Sequence, residues 1–182
     1  LTLTYSIPVC AQDMATTNNT SSSTATTTSG SMLLDDKAGL LMGSEVQQVL
    51  EALDVASSKS DCNIVVATTN EGLSESAIQA YADNYYMANV QNKSQTNFCV
   101  TLTVDISSRK VDVGTYNPGS KRNLNDAAKD EIREYVTSDL TNGDYVKAFT
   151  KFADKTATIA GGIAEDGGRL KSSFPWAKRI II

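Results

Sequence analysis

The chain has 182 residues, of which 41% are hydrophobic, and this length suits one domain with tails. Its net charge of −5 disfavours nucleic-acid binding, because a phosphate backbone needs a basic surface. The chain contains no histidine, which excludes Ser-His-Asp triads, Cys-His pairs and histidine-rich zinc sites. Any catalysis must therefore use carboxylates, hydroxyls, lysine, cysteine or a metal held by oxygen ligands.

The N-terminal region is predicted to lie outside the folded domain. Residues 1–11 are interpreted as the remnant of a signal peptide, since small residues at Val9 and Ala11 suit cleavage before Gln12. A lipidated Cys10 and an N-terminal strand are the alternatives. Residues 12–31 are rich in Ser, Thr and Asn and cannot offset their chain entropy by burial. They predict a disordered spacer, with a polar surface loop as the alternative.

The folded domain is predicted over residues 32–162, and its first regular element is a helix. Apolar residues recur at helical spacing over residues 44–58. Ser44 is the predicted N-cap, with Gln47 as its capping-box partner. Asp36 precedes this helix, where a carboxylate can cap a helix or help to bind a cation.

The middle of the domain combines strands with a second helix. Residues 63–68 form a nearly continuous apolar, β-branched run, which predicts a central strand buried on both faces. Ser74 and Ser76 introduce a helix whose tyrosine stripe is interpreted as core. Residues 98–104 predict a second strand, and the alternating residues 110–115 predict its antiparallel hairpin partner.

Two cysteines, Cys62 and Cys99, each begin one of the predicted strands. If the strands are neighbours, a disulfide is geometrically conceivable. Two buried thiols are the favoured interpretation, because cysteine is among the most buried residue types. The spacing excludes a CxxC zinc ribbon or thioredoxin motif.

Two helices complete the predicted domain. Asn125 or Asp126 is predicted to cap the third helix, and Asn142-Gly143-Asp144 separates it from a last helix that ends before Gly161. The order helix, strand, helix, hairpin, helix, helix predicts an α/β fold. We expect a three-layer α/β/α sandwich with a small mixed sheet that includes one β-hairpin.

Residues 163–182 are interpreted as a linker and the start of a transmembrane segment. Basic and aromatic residues, Phe174 and Trp176 among them, precede three isoleucines, as at the interfacial edge of a membrane helix. Three isoleucines cannot span a bilayer, so the membrane contact is predicted to use a segment that follows this chain. A short hydrophobic tail that packs on the domain is the alternative.

Four oxygen-bearing residues are the predicted metal ligands: Asp36, Asn70, Asp105 and Asp126. In open α/β sheets, sites form where strand carboxyl ends meet helix N-termini, and each of these residues is predicted to lie at such a point. Oxygen donors without histidine suit Ca²⁺ or Mg²⁺. Each also has a structural explanation, as a helix cap, a turn residue or a partner of a helix dipole. No organic-cofactor motif is present.

Several motifs of the chain occur together in one known family. Its opening pattern, an apolar residue followed by Asp-x-Ala-x-Leu-Leu-x-x-x-Glu, is met by Leu34, Asp36, Ala38, Leu40, Leu41 and Glu45. Its aromatic helix is met by Tyr81, Ala82, Asp83 and Tyr86, and its last helix by Gly143, Asp144, Tyr145, Ala148 and Phe149. Over residues 34–160 the chain resembles the TPM-domain family in its Gram-positive bacterial form. Of the glycine-rich turn after the third strand, only Gly119 is kept.

The resemblance implies an α/β/α sandwich outside the cytoplasm, anchored in the cell membrane of a Gram-positive bacterium. Some relatives are linked to divalent-cation binding and to acid phosphatase activity, and plant members to photosystem repair. Asp36 and Asp126 are then the first candidates for a cation site.

Three functional hypotheses follow. The favoured one is a membrane-tethered binding or accessory module with a membrane-protein partner and bound Ca²⁺. The alternatives are a metal-assisted acid phosphatase acting on phosphomonoesters and a structural spacer for a membrane partner.

Overall fold

The computed structural model describes residues 32–119 and 124–161. The predicted signal-peptide remnant, the spacer and the membrane segment, residues 1–11, 12–31 and 163–182, lie outside these residues. Within the described part of the chain, none of the helices combines the length and apolarity needed to cross a bilayer.

The described residues form four strands and four helices in the order β1-α1-β2-α2-β3-β4-α3-α4. The strands are β1 (Leu34–Asp36), β2 (Asn63–Thr69), β3 (Cys99–Asp105) and β4 (Lys110–Tyr116). The helices are α1 (Ser44–Ser60), α2 (Glu75–Asn89), α3 (Asp126–Asn142) and α4 (Tyr145–Ala160). The predicted α/β fold is thereby confirmed.

The strands form one mixed sheet in the order β1-β2-β3-β4. The first three strands are parallel, and β3 and β4 form the predicted antiparallel hairpin. Helix α2 packs on one face, where Tyr86 stacks on Tyr116 with ring centroids 4.3 Å apart. The opposite face of β4 carries Val111, which lines a cleft with residues of α3 and α4. The helices therefore cover both faces, as a three-layer sandwich requires.

The core lies on both faces of the sheet, with Tyr86 of α2 on one side and the apolar faces of α1, α3 and α4 on the other. Every residue of β2 is buried, as predicted for a strand covered on both faces. Helix α4 contributes Phe149 and Phe152, the two largest fully buried side chains. Its apolar stripe is wide because α4 contacts both α1 and α3 as well as β2.

Some local predictions need correction. Ser44 is the first helical residue and not the N-cap, which is Gly43 at φ 50°, a conformation that favours glycine. Glu45 closes this end by accepting a hydrogen bond from the Met42 N–H at 2.9 Å. Strand β1 was not predicted, because three residues are too few to show a periodic pattern. Asn125, the first of the two candidates, caps α3 by accepting from the Ala128 N–H at 3.0 Å.

Cys62, directly before β2, and Cys99, the first residue of β3, are buried thiols, and no disulfide joins them. Burial is the main cause that raises the pKa of Cys99 far above its usual range, and the neighbouring Cys62 adds to it. The favoured interpretation is confirmed, and this thiol stays protonated at neutral pH.

A buried carboxylate fixes the corner between α3 and α4. Asp139 has a side chain that is 3% exposed and forms ion pairs with Lys147 and Lys151, each at 2.6 Å. Hydrogen bonds from Lys147 and Lys151 lower the pKa of Asp139, so this carboxylate stays ionised. These ion pairs join the end of α3 to the first turns of α4.

Candidate functional site

The parallel pairing of β1, β2 and β3 brings their carboxyl ends to one edge of the sheet. In this register Asp36 lies beside Thr68, and Thr69 lies beside Asp105. Asn70 follows β2 directly and is exposed at the same edge. Three of the four predicted ligands are therefore brought to what we call the carboxyl edge, where the β1–α1, β2–α2 and β3–β4 loops meet.

Asp36 organises the loop between β1 and α1. Its Oδ1 accepts hydrogen bonds from the Thr68 hydroxyl at 2.6 Å and the Leu40 N–H at 3.1 Å. Its Oδ2 accepts from the Leu41 N–H at 2.9 Å. The Thr68 hydroxyl in turn accepts from the Ala38 N–H at 3.1 Å. A single half-buried carboxylate thus holds this loop against β2.

Asp105 organises the other two loops and is fully buried. Its Oδ1 accepts from the Ser107 N–H at 2.9 Å and the Ser108 N–H at 3.3 Å. Its Oδ2 accepts from the Leu73 N–H in the β2–α2 loop. These bonds connect the hairpin turn to the loop before α2, because both donate to one side chain.

The pKa of Asp105 shows which form of this carboxyl the loops require. Burial, the largest influence, would raise the pKa, but the backbone N–H groups of Leu73, Ser108 and Gly72 hold it below its ordinary value. The carboxylate is consequently ionised at neutral pH, and its charge is balanced by peptide dipoles.

The two carboxylates lie on opposite faces of the sheet. Paired residues of parallel strands point to the same side, and successive residues alternate. Asp36 shares a side with Thr68 and Val104, whereas Asp105 shares the other side with Thr69. Asp36 therefore faces the layer of α1, α3 and α4, and Asp105 faces α2.

Asp126 is placed at the other end of the molecule. Strand β4 runs back along β3, so that Tyr116 pairs with Cys99 at the amino end of the parallel strands. The C-terminal part of α3, by contrast, lies beside Asp105 and the hairpin. Asp126 begins α3, whose length of 17 residues corresponds to about 25 Å. It cannot share a cation with Asp36.

The surroundings of Asp126 are those of a surface residue. Its side chain is 93% exposed and forms an ion pair with Lys129 at 2.6 Å. The hydrogen bond from Lys129 lowers the pKa of Asp126. This carboxylate stabilises the first turn of α3, which is where a negative charge favours a helix.

The four predicted ligands thus do not form one coordination sphere. Among residues 32–119 and 124–161, no cluster of three acidic, cysteine or histidine side chains could hold a metal ion. The role of any single residue in cation binding stays a prediction. Thr68 was not predicted, since only the strand register reveals that it contacts Asp36. Ser107 and Ser108 contact Asp105 locally, two and three residues further on, and their signal is an Asp at the start of a turn.

Comparisons with known proteins agree with this fold. The sequence model of the TPM domain matches residues 34–159. The fold is similar to the NMR structure of protein BA42 from the psychrophilic bacterium Bizionia argentinensis, with a TM-score of 0.54 and 13% identity over 67% of this chain and 82% of that one. It is also similar to the NMR structure of the N-terminal domain of cg2496 from Corynebacterium glutamicum. The TM-score is 0.51 and the identity 14%, over 75% of this chain and 83% of that one. No curated protein sequence matches the chain.

Proposed function

Since the chain belongs to the TPM-domain family, we propose that it is a binding or accessory module that is tethered to the cell membrane on its outer side. Its binding surface would be the carboxyl edge, and its partner a membrane protein. The signal-like residues 1–11 and the basic, aromatic approach to Ile180 support the tethering. The observation that supports the binding role most is that Asp36 and Asp105 are both used to position backbone loops.

The use of Asp105 as a loop anchor favours recognition over catalysis by this residue. A catalytic acid or base must have a lone pair or proton within reach of the substrate. Asp105 is fully buried and surrounded by backbone donors, so no substrate reaches it. A loop that is already ordered before binding loses less conformational entropy when a partner docks, which improves affinity.

The phosphatase alternative stays a prediction, although its first two candidate ligands are not brought together. In that mechanism carboxylates hold a metal that polarises a phosphoryl oxygen, with Asp36 and Asp126 as the first candidates. The two residues lie at opposite ends of the sheet. Asp36 and Asp126 therefore cannot hold that metal together, and a phosphatase site would need other ligands.

A weak Ca²⁺ site at Asp36 is the part of the cation hypothesis that the geometry supports. Each carboxylate oxygen has two lone pairs. Oδ1 of Asp36 already accepts two hydrogen bonds, whereas Oδ2 accepts one, from the Leu41 N–H. One lone pair of this half-buried carboxylate is left for a hard cation. Water or a partner's oxygen atoms would complete the coordination, so we propose millimolar affinity, as in extracellular modules.

Calcium is expected to raise the melting temperature of the wild type and of Asp126→Asn, but not of Asp36→Asn. At ten times the dissociation constant, a ligand stabilises the native state by about 1.4 kcal/mol. For a domain of this size that corresponds to roughly 3 to 6 °C. Each variant is melted with and without 10 mM Ca²⁺, roughly ten times a millimolar dissociation constant, so that its own change in stability cancels.

An unchanged wild-type midpoint would remove the Ca²⁺ part of the proposal. A calcium response that disappears in Asp126→Asn and survives in Asp36→Asn would show that the site was assigned to the wrong end of the molecule.

The recognition part is tested separately with charge changes at exposed loop residues. Glu71 lies at the carboxyl edge, and Gln91, which follows α2, lies near the opposite edge. We expect a membrane-protein partner captured from intact membranes by the wild type to be recovered with Gln91→Arg but not with Glu71→Arg. Equal recovery with both variants would place the partner on another surface.

A further inference from the structure

A cleft of about 350 Å³ opens beside the carboxyl edge, between the β3–β4 turn and the α3–α4 corner. Its walls come from four elements, and its main lining residues are Val104, Ile106, Arg109, Val111, Leu140 and Tyr145. It is separate from the Asp36 loop, which contributes no residue to it. The volume is at the low end of the range for small-molecule sites.

Apolar side chains form the floor and part of the walls of the cleft. Val104 and Val111 form a cross-strand pair on the face that points toward α3. Leu140 of α3 and Tyr145 at the start of α4 form the opposite wall. The Tyr145 ring is held against Phe149 of the core, with ring centroids 6.3 Å apart. An aliphatic group would displace water from this surface, which is the usual source of affinity in such a pocket.

The polar groups at the cleft differ in whether their hydrogen-bond donors are already used within the protein. The hydroxyls of Thr137 and Thr141 donate to backbone carbonyls of their own helix at 2.7 Å each. Within the described residues, neither the Arg109 guanidinium nor the Tyr145 hydroxyl has a hydrogen-bond or ion-pair partner among the contacts of this structure. Two unengaged donors remain beside an apolar surface.

The charged residues that line the cleft are one acid, Asp105, and one base, Arg109. Asp105 contributes to the lining, but its carboxylate is turned to the other face of the sheet and bonded to Leu73, Ser107 and Ser108. Arg109 is exposed at the turn with φ 55°, a backbone conformation that fixes the direction of its Cβ. An anion at the mouth of the cleft would meet a guanidinium, which binds carboxylates with strong, paired hydrogen bonds.

We propose that this cleft binds a small amphiphilic carboxylate, with its aliphatic body on Val104, Val111 and Leu140 and its carboxylate on Arg109. The Tyr145 hydroxyl supplies the second donor. This site does not depend on Ca²⁺ or on Asp36, so it stands or falls separately from the function proposed above.

The probe for the test is hexanoate, titrated into the ¹⁵N-labelled full chain and followed by amide chemical shifts. The expected shifts are confined to the hairpin turn, the end of α3 and the start of α4. Hexan-1-ol has the same aliphatic body without the charge, and acetate has the charge without the body. Each is expected to bind at least about tenfold more weakly than hexanoate, because it uses one half of the site.

Arg109→Gln tests the charged half, and Arg133→Gln is the matched control. Arg133 is also an arginine on this side of the molecule, but it is paired with Asp130 at 3.1 Å and does not line the cleft. We expect Arg109→Gln to weaken hexanoate binding about tenfold or more and Arg133→Gln to leave it unchanged. Equal binding of hexan-1-ol, equal loss in both variants, or shifts scattered over the surface would each overturn the proposal.

Discussion

Replacing Asp105 by alanine is expected to lower the free energy of unfolding by about 3 kcal/mol, because buried donors are left without an acceptor. The N–H groups of Leu73, Ser107 and Ser108 all donate to this carboxylate, which is fully buried. The substitution removes the one side chain to which both the β2–α2 loop and the β3–β4 turn are bonded. Urea denaturation of the wild type and the variant measures the difference directly.

The matched control is Asp126→Ala, which removes a carboxylate that is 93% exposed. Its expected effect is within about 0.5 kcal/mol, as for most surface substitutions. Similar losses in both variants would mean that Asp105 does not anchor the loops.

The contribution of Asp105 to the free energy of unfolding should also depend on pH, and the lowered pKa of this residue determines the direction of that dependence. The pKa is lower in the folded state than in the unfolded chain, so the ionised form is the one that folding favours. This stabilisation is present above the unfolded pKa of about 4 and is lost as the pH falls through the folded value. The difference between the wild type and Asp105→Asn should therefore shrink in acid. A difference that grows as the pH falls would contradict the assignment.

Replacing Phe149 by alanine is expected to cost about 3 to 5 kcal/mol, the range for removing a buried aromatic ring. Phe149 is fully buried in α4, between the sheet and the other helices. The loss combines reduced apolar burial with a cavity that neighbouring side chains fill only in part. Phe149→Leu keeps most of the volume and should cost less than half as much.

The same pair of variants connects the core to the cleft. Tyr145 rests on the Phe149 ring and lines the proposed carboxylate site. Phe149→Leu should therefore weaken hexanoate binding while the domain stays folded.

Full stability in Phe149→Ala, measured by urea denaturation, would show that α4 is not the centre of the core.

Much of the fold could be predicted from local patterns. The continuous apolar run of β2 and the alternation of β4 have distinct periods, and the serine before α2 and the asparagine before α3 are recognisable caps. Strand β1 could not be predicted in this way, because it is held by pairing with β2 and not by its own pattern. The Gly43 cap was missed because Ser44 is the commoner type of capping residue.

The site was harder to predict, and for two different reasons. The prediction that Asp126 lies near Asp36 overlooked the predicted hairpin, since an antiparallel strand returns the chain to the edge opposite Asp36. The separation of Asp36 from Asp105 needed the register, because a shift of one residue moves a side chain to the other face. The cleft at Arg109 depends on how α3 and α4 pack on the hairpin, which no short sequence pattern records.

The arrangement of the acidic residues can be tested most directly with Mn²⁺ as a hard, paramagnetic stand-in for Ca²⁺. Amide signals of the ¹⁵N-labelled chain are recorded while Mn²⁺ is added, and broadening marks the residues nearest the ion. Because Asp36 and Asp126 lie at opposite ends of the sheet, we expect the broadening to be centred on Asp36, Leu40 and Leu41. The Asp126 amide should be unaffected. Joint broadening of Asp36 and Asp126 at the same low Mn²⁺ concentration would contradict it.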